Sequence, residues 1–157
     1  ALETARAFRD ALACYPTGVA IVTLHDGDKV RALTINSFAS VSLEPRLVLW
    51  SLDRASLRFE PFSRATRYAI NVLGADQEAL ALSCARDDDL ERAGGKWRAG
   101  QTGVPLIPNA IACFECALDA VHAGGDHIII VGKVEAFEQP RTAPALVFHR
   151  SVFAAAH

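Results

Sequence analysis

The stretch TINSFASVSLEPRLVLWSLDRAS, residues 34–56, decides how the chain reads. Its first half interleaves short hydroxyl and amide side chains (Thr34, Asn36, Ser37, Ser40 and Ser42) with the apolar Ile35, Phe38, Ala39 and Val41. Such a run offers many hydrogen-bonding groups and still lets its backbone approach a ligand closely. It carries no charge before Glu44, which suits an electron-rich heteroaromatic ring better than a metal ion. The second half, from Arg46 to Leu52, reads as a buried strand, and Asp53, Arg54, Ala55 and Ser56 follow as a turn. An arginine and a helix-starting serine at a strand-to-helix turn match what an anionic phosphate needs. A neutral donor-rich cradle beside a phosphate corner points to a mononucleotide such as a flavin.

Outward from this stretch, 157 residues make one domain, 1–157, large enough to bury a core. The net charge of −2, with thirteen arginines scattered along the chain, provides no basic field for nucleic acid. No apolar run reaches the roughly 18 residues of a membrane helix. The first residues, ALETARAFRD, are charged and amphipathic rather than a secretion signal, and the missing methionine is expected of a chain lacking its first few residues. Of the four cysteines, Cys113 and Cys116 form a C-x-x-C inside a strand-like run, where their thiols would point to opposite faces. No second pair or nearby histidine completes a zinc set, so no metal site is expected. Reduced cysteines without a signal imply the cytoplasm.

The periodicity predicts a helix over 2–12, stopped by Tyr15 and Pro16, then a buried strand over 18–24. A turn at Asp26, Gly27 and Asp28 leads to a partner strand over 30–36. Strands follow at 38–42 and 47–52, with Ser56 as the N-cap of a short helix to residue 63 that turns Leu57 and Phe62 inward. A strand over 68–73 precedes a helix over 75–85, where Leu80 and Cys84 share a face that Leu82 widens. Asp87, Asp88 and Asp89 are expected to be a solvated acidic start to another helix. Residues 94–108 read as a Gly/Pro-rich loop without regular structure, able to cover a ligand or a neighbouring subunit. A long β-pair over 111–121 and 127–137 and a last strand over 145–149 complete the chain. The pattern is α+β and mainly antiparallel β, a barrel or partly open sheet, and it lacks the G-x-G-x-x-G of a dinucleotide crevice.

Residues 34–56 resemble the signature of the flavin reductase-like family, whose members form an FMN-binding split barrel. Pro16, Thr17, Gly18 and Val19, with the following Ala20 to Thr23, are similar to that family's first strand. Gly125, Asp126 and His127, running on to Gly132, resemble its G-D-H-x-I-x-x-G segment. The resemblance covers about residues 8–153 and departs at Trp50, at Arg46 (a proline in the family) and in the tail HRSVF. There Ser151 stands for glycine and Phe153 for tyrosine, next to where the family's active site lies.

The resemblance implies an antiparallel split β-barrel with a few short helices, holding FMN or FAD and using NADH or NADPH as co-substrate. The implied flavin contacts are Thr34, Ile35, Asn36, Ser37, Ser40, Val41 and Ser42, then Leu52, Asp53, Arg54 and Ser56. Pro16, Thr17, Gly18 and Phe153 complete that set, with His127 as the catalytic-site residue that orients the nicotinamide. Each also has a bland reading: backbone-satisfying strand polars for the serines, a solvated arginine for Arg54, a turn histidine bonded to Asp126 for His127. The implied activity is reduction of flavin for a separate flavin-dependent monooxygenase reached by diffusion, in a homodimer that shields open strand edges. Two rivals remain: a related barrel reducing a corrinoid or ferric complex, and a non-enzymatic FMN-binding module.

Overall fold

The computed structural model describes residues 1–156. A helix α1 (Leu2–Ala13) leads into strands β1 (Thr17–Gly18), β2 (Ala20–Asp26) and β3 (Lys29–Ile35). Strands β4 (Ala39–Ser42) and β5 (Leu47–Asp53) follow, then α2 (Phe59–Ser63), β6 (Arg67–Val72) and α3 (Glu78–Arg86). The chain ends with β7 (Arg98–Ala99), β8 (Pro105–Leu106), β9 (Ala112–Gly124), β10 (His127–Glu138), β11 (Leu146–His149) and β12 (Val152–Ala155).

Seven strands pair in the order β3-β2-β6-β9-β10-β5-β4, antiparallel throughout. Six spacings of about 4.8 Å would make a flat sheet of this kind about 29 Å wide. Yet its two edges, β3 and β4, are joined only by residues 36–38. The four steps from Ile35 to Ala39 reach at most about 14 Å. The sheet must therefore curl until its edges nearly meet. No ladder joins them among the described residues, which leaves the barrel split at residues 36–38.

The curled interior is one apolar cluster drawing Val22 from β2, Ile35 from β3, Trp50 from β5, Ile70 from β6 and Ile130 from β10. Trp50 fills its centre, crossing Phe62 and Tyr68 edge-on at 6.3 and 6.1 Å. The Tyr68 hydroxyl and the Cys116 Cβ occupy the space a Cβ at Gly132 would need, so a side chain there would have to displace them. A second cluster covers the outer face of β2 and β3, where Val19, Ile21 and Ala32 meet Ala81 and Cys84 of α3. With both faces of β2 covered, its apolar run is continuous rather than alternating.

On that outer side, the fully buried Asn71 ties three segments together. Its amide nitrogen donates to the Ile21 carbonyl and to Thr23 Oγ1, both at 2.9 Å, and its oxygen accepts from the Ile107 amide at 2.9 Å. Thr23 in turn donates to the Pro105 carbonyl at 2.6 Å. Residues 94–108 are thus not the structureless loop expected. They form the β7–β8 pair and bury Val104, Leu106 and Ile107. Glu115, itself buried, accepts from the Gln101 and Thr102 amides and the Thr102 hydroxyl and holds the loop from below.

Other expectations fail for tertiary reasons. Ser56 does not cap a helix: α2 starts at Phe59, the Ser56 hydroxyl accepts from the Arg58 amide within the preceding turn, and Leu57 is fully exposed. Leu82 faces solvent, and Ala81 takes the inward position beside Cys84. No helix forms after the aspartates. Asp88 and Asp87 pair instead with Arg31 and Arg92, and Asp89 with Lys29. The tail has a strand the sequence did not show, β12, which folds back on β11 through Arg150 and Ser151 with φ of 51° and 63°. A left-handed turn of this kind favours glycine, and here two ordinary residues adopt it.

Asn71→Ala should lower unfolding stability by about 2–3 kcal/mol, because it strands the Ile107 amide in a dry interior and removes the donor to the Ile21 carbonyl and the Thr23 hydroxyl. A urea titration with an unchanged slope checks this, and a loss within error of zero would show that the amide is dispensable.

Candidate flavin site at the barrel split

The antiparallel register of β10 on β5 sets Asp53 opposite His127. The turn after β5 is locked to the turn between β9 and β10. The Arg54 amide donates to the Asp126 carbonyl at 3.0 Å, and Arg54 Nε donates to the Gly125 carbonyl at 3.2 Å. Asp53 Oδ1 accepts from the Ala55 amide, and its carbonyl accepts from the Ser56 amide, at 2.9 and 3.1 Å. The amides of residues 54–56 are therefore all committed. What this corner can offer an anion is the rest of the exposed Arg54 guanidinium and the Ser56 hydroxyl proton, not a helix N-terminus.

His127 Nδ1 lies 2.8 Å from Asp126 Oδ1. That hydrogen bond, with the charge of the ring, holds the Asp126 carboxyl below the usual carboxylate range, so it is an ionised acceptor at neutral pH. Nδ1 must then donate, which leaves Nε2 of a ring that is 40% exposed for a ligand.

Residues 36 and 37 meet the same end of β5. Ser37 Oγ accepts from the Ser51 amide at 2.9 Å and donates to the Ser51 carbonyl at 3.4 Å, a lateral staple across the split. Asn36 is exposed and lines a groove of about 420 Å³ between α1 and the β11–β12 hairpin. Leu12, Tyr15 and Phe148 give that groove an apolar wall. Thr17 lines it as well, and its hydroxyl is buried from water with no hydrogen-bond partner. An orphaned hydroxyl beside an apolar wall is a polar group that a bound ring or ribose would satisfy. Pro16 and Gly18 flank it on exposed backbone, where nothing approaches the Gly18 Cα within 4 Å of an added Cβ.

The expected cradle is not gathered whole. Thr34 donates its hydroxyl to the Ala81 carbonyl at 2.7 Å, and the Ile35 and Leu52 side chains belong to the barrel interior. Phe153 packs on Phe148 at 5.1 Å. Ser40 pairs with Val48, five residues and about 16 Å along β5 from Asp53. There Ser40 and Ser42 line a separate apolar hollow of about 300 Å³ with Phe38, Phe114 and Phe137, and Val41 is exposed beside it. Of the groove beside α1, the resemblance marked Thr17, Asn36 and the tail HRSVF; Tyr15 lies 133 residues before Phe148, and no local pattern links the two.

The C-x-x-C is structural. Cys116 packs inside the barrel and Cys113 outside it, and burial pushes their thiols up to about 12 and about 11, so neither is a thiolate at neutral pH. No group of three or more potential metal ligands occurs among the described residues.

Known proteins are similar to this chain in sequence and in fold. The family model described as "Flavin reductase like domain" matches residues 12–157. The FMN reductase (NADH) SmoA of Agrobacterium fabrum is 47% identical over 136 residues, 84% of this chain and 75% of its own. The reductase component of the flavin-dependent trigonelline monooxygenase of Acinetobacter baylyi is 38% identical over 87% of this chain, which spans only 44% of that longer protein. Among solved structures, BorF, the flavin reductase component of a bacterial two-component tryptophan halogenase, superposes with a TM-score of 0.88 at 35% identity, covering 97% of this chain and 98% of its own. Matched from residue 12 to its end and nearly half identical to a curated relative, the chain belongs to the flavin reductase-like domain family.

Proposed function

We propose that residues 1–157 form one NAD(P)H-dependent flavin reductase unit that reduces FMN or FAD and hands the reduced flavin to a separate flavin-dependent monooxygenase. The observation that carries this reading is the convergence at the barrel split. Arg54 and His127 meet at the end of β5, Ser37 bonds Ser51 two residues before that end, and its neighbour Asn36 lines one groove with the orphaned Thr17 hydroxyl. SmoA is named for the same reaction, and the trigonelline reductase and BorF are components of two-protein systems, which supports the separate acceptor.

A flavin bound here supplies the chemistry, accepting hydride from a dihydronicotinamide. The protein's own residues hold and align. Arg54 and Ser56 neutralise the flavin phosphate, Thr17 and Asn36 fix polar ring or ribose atoms, and His127 orients the nicotinamide through Nε2. No residue is needed as a proton donor in the transfer itself. Such positioning removes translational and rotational freedom before reaction, the main lever a site of this kind has on rate.

The apolar hollow around Phe38 and Phe137, next to the open edge of β4 and the exposed Leu43, fits a second copy of the chain, hence a homodimer. Four free cysteines fit a reducing cytoplasm, and no helix among the described residues is long and apolar enough to cross a membrane.

Anaerobic mixing of protein, FMN and NADH should bleach the flavin with one NADH consumed per FMN. Reduction of a ferric complex without flavin, or flavin binding with no NADH oxidation, would overturn the assignment in favour of another acceptor or a storage role. Within that assay, His127→Asn should keep FMN affinity, raise KM for NADH several-fold and preserve the shape of the pH profile. Loss of hydride transfer at saturating NADH, together with loss of a pH limb, would instead make His127 an acid catalyst.

A further inference from the structure

The groove between α1 and the tail hairpin carries charge that the fold itself does not use. Thirteen arginines occur in the chain. Nine of them (31, 46, 54, 58, 64, 67, 92, 98 and 141) are bonded to a carboxylate or a backbone carbonyl. Arg6, Arg9, Arg86 and Arg150 are not, among the described residues, and of these four Arg9 and Arg150 share one groove. Arg9 makes no recorded polar contact, and the Arg150 guanidinium reaches only the Cys14 sulfur at 3.9 Å. Both line the same groove, one from the last turns of α1 and the other from the left-handed turn before β12. The backbone holds that second position firmly, since the Arg150 amide donates to the Ala13 carbonyl at 3.1 Å and His149 Nε2 lies 3.2 Å from the Cys14 carbonyl. Asp10 lines the adjoining hollow but forms no ion pair with either arginine.

We propose that Arg9 and Arg150 bind the pyrophosphate of a dinucleotide lying in this groove, with Tyr15 and Phe148 against a heterocycle. Two guanidinium groups that form no ion pair, at the rim of an apolar slot, recognise a compact dianion bearing an aromatic arm. A mononucleotide phosphate already has the Arg54 corner, so the groove serves a second and longer anion. The proposal rests on the flavin reductase reading for the choice of dinucleotide: NADH as hydride donor, or the adenylate half of FAD.

The test uses full-length protein and separates those sources from each other and from the parent reading. ADP-ribose, which has the pyrophosphate without nicotinamide or flavin, is titrated by calorimetry into the parent and into Arg9→Gln, Arg150→Gln and the double variant. The double variant should bind at least tenfold more weakly while FMN affinity changes less than twofold, and Arg9→Lys should recover part of the loss. Under turnover, a tenfold rise in KM for NADH with unchanged kcat and unchanged kinetics for the phosphate-free donor dihydronicotinamide riboside identifies NADH as the occupant. Weaker FAD binding with FMN and NADH unaffected identifies the flavin dinucleotide instead. The proposal is overturned if the parent does not bind ADP-ribose, if the variants leave ADP-ribose unmoved, or if NADH and the riboside suffer alike. Absence of flavin reduction in a parent that still binds ADP-ribose through the two arginines would count against the reductase reading and leave the groove assignment standing.

Discussion

A three-residue link governs this molecule. Because residues 36–38 alone join the two outer strands, the seven-stranded sheet has to curl, and the curl creates both the interior and the site. The interior appears where Ile35, Trp50 and Ile130 converge from strands that would lie far apart on a flat sheet. The site appears because the link is too short to add a strand of its own. Its polar residues remain at the seam, where Ser37 staples the gap to Ser51 and leaves Asn36 facing outward. Barrel closure would have satisfied the edge amides and carbonyls along the seam, whereas a split leaves polar groups there that a ligand can use.

Register does the rest. A one-residue slip of β10 on β5 would turn Ile128, Ile130 and Val134 to solvent, so burial fixes the alignment strongly. That alignment brings the two turns together at one end, and the Arg54–Gly125 and Arg54–Asp126 hydrogen bonds follow from it. The chemistry of the corner thus depends on the buried alignment of β10 on β5 along its whole length.

Much of this was legible in the residues. The alternation of Ile128, Ile130, Val134 and Ala136 against Lys133 and Glu135 gives β10 its inward face, and the apolar run to Leu24 reads as a doubly covered strand. The split-barrel class came from the resemblance of the 34–56 stretch, and the expectation of a phosphate corner at Arg54 and Ser56 from the residues of that stretch. What was not legible is tertiary. Nothing local tells Leu57 that it will face water or Ser56 that its hydroxyl will close a turn rather than cap a helix. The run from Thr34 to Ser42 looks uniform, yet α3 takes Thr34, the interior takes Ile35, and β4 carries Ser40 and Ser42 to the opposite end of β5. Asn71 gave no signal at all, because a single amide inside an apolar strand acquires its meaning only from the two segments that converge on it.

The central claim is that the turn pairing at the end of β5 builds the phosphate corner of a flavin site. Fluorescence-quenching titrations of FMN and riboflavin, with the parent and with Arg54→Ala, test it most directly, since the two ligands differ only in the phosphate. The account predicts that the variant loses about 1.5–3 kcal/mol of FMN affinity, some ten- to a hundredfold, while riboflavin binding is nearly unchanged. Equal losses for both ligands would show that Arg54 merely ties the two turns together, and no loss for either would place the flavin somewhere else.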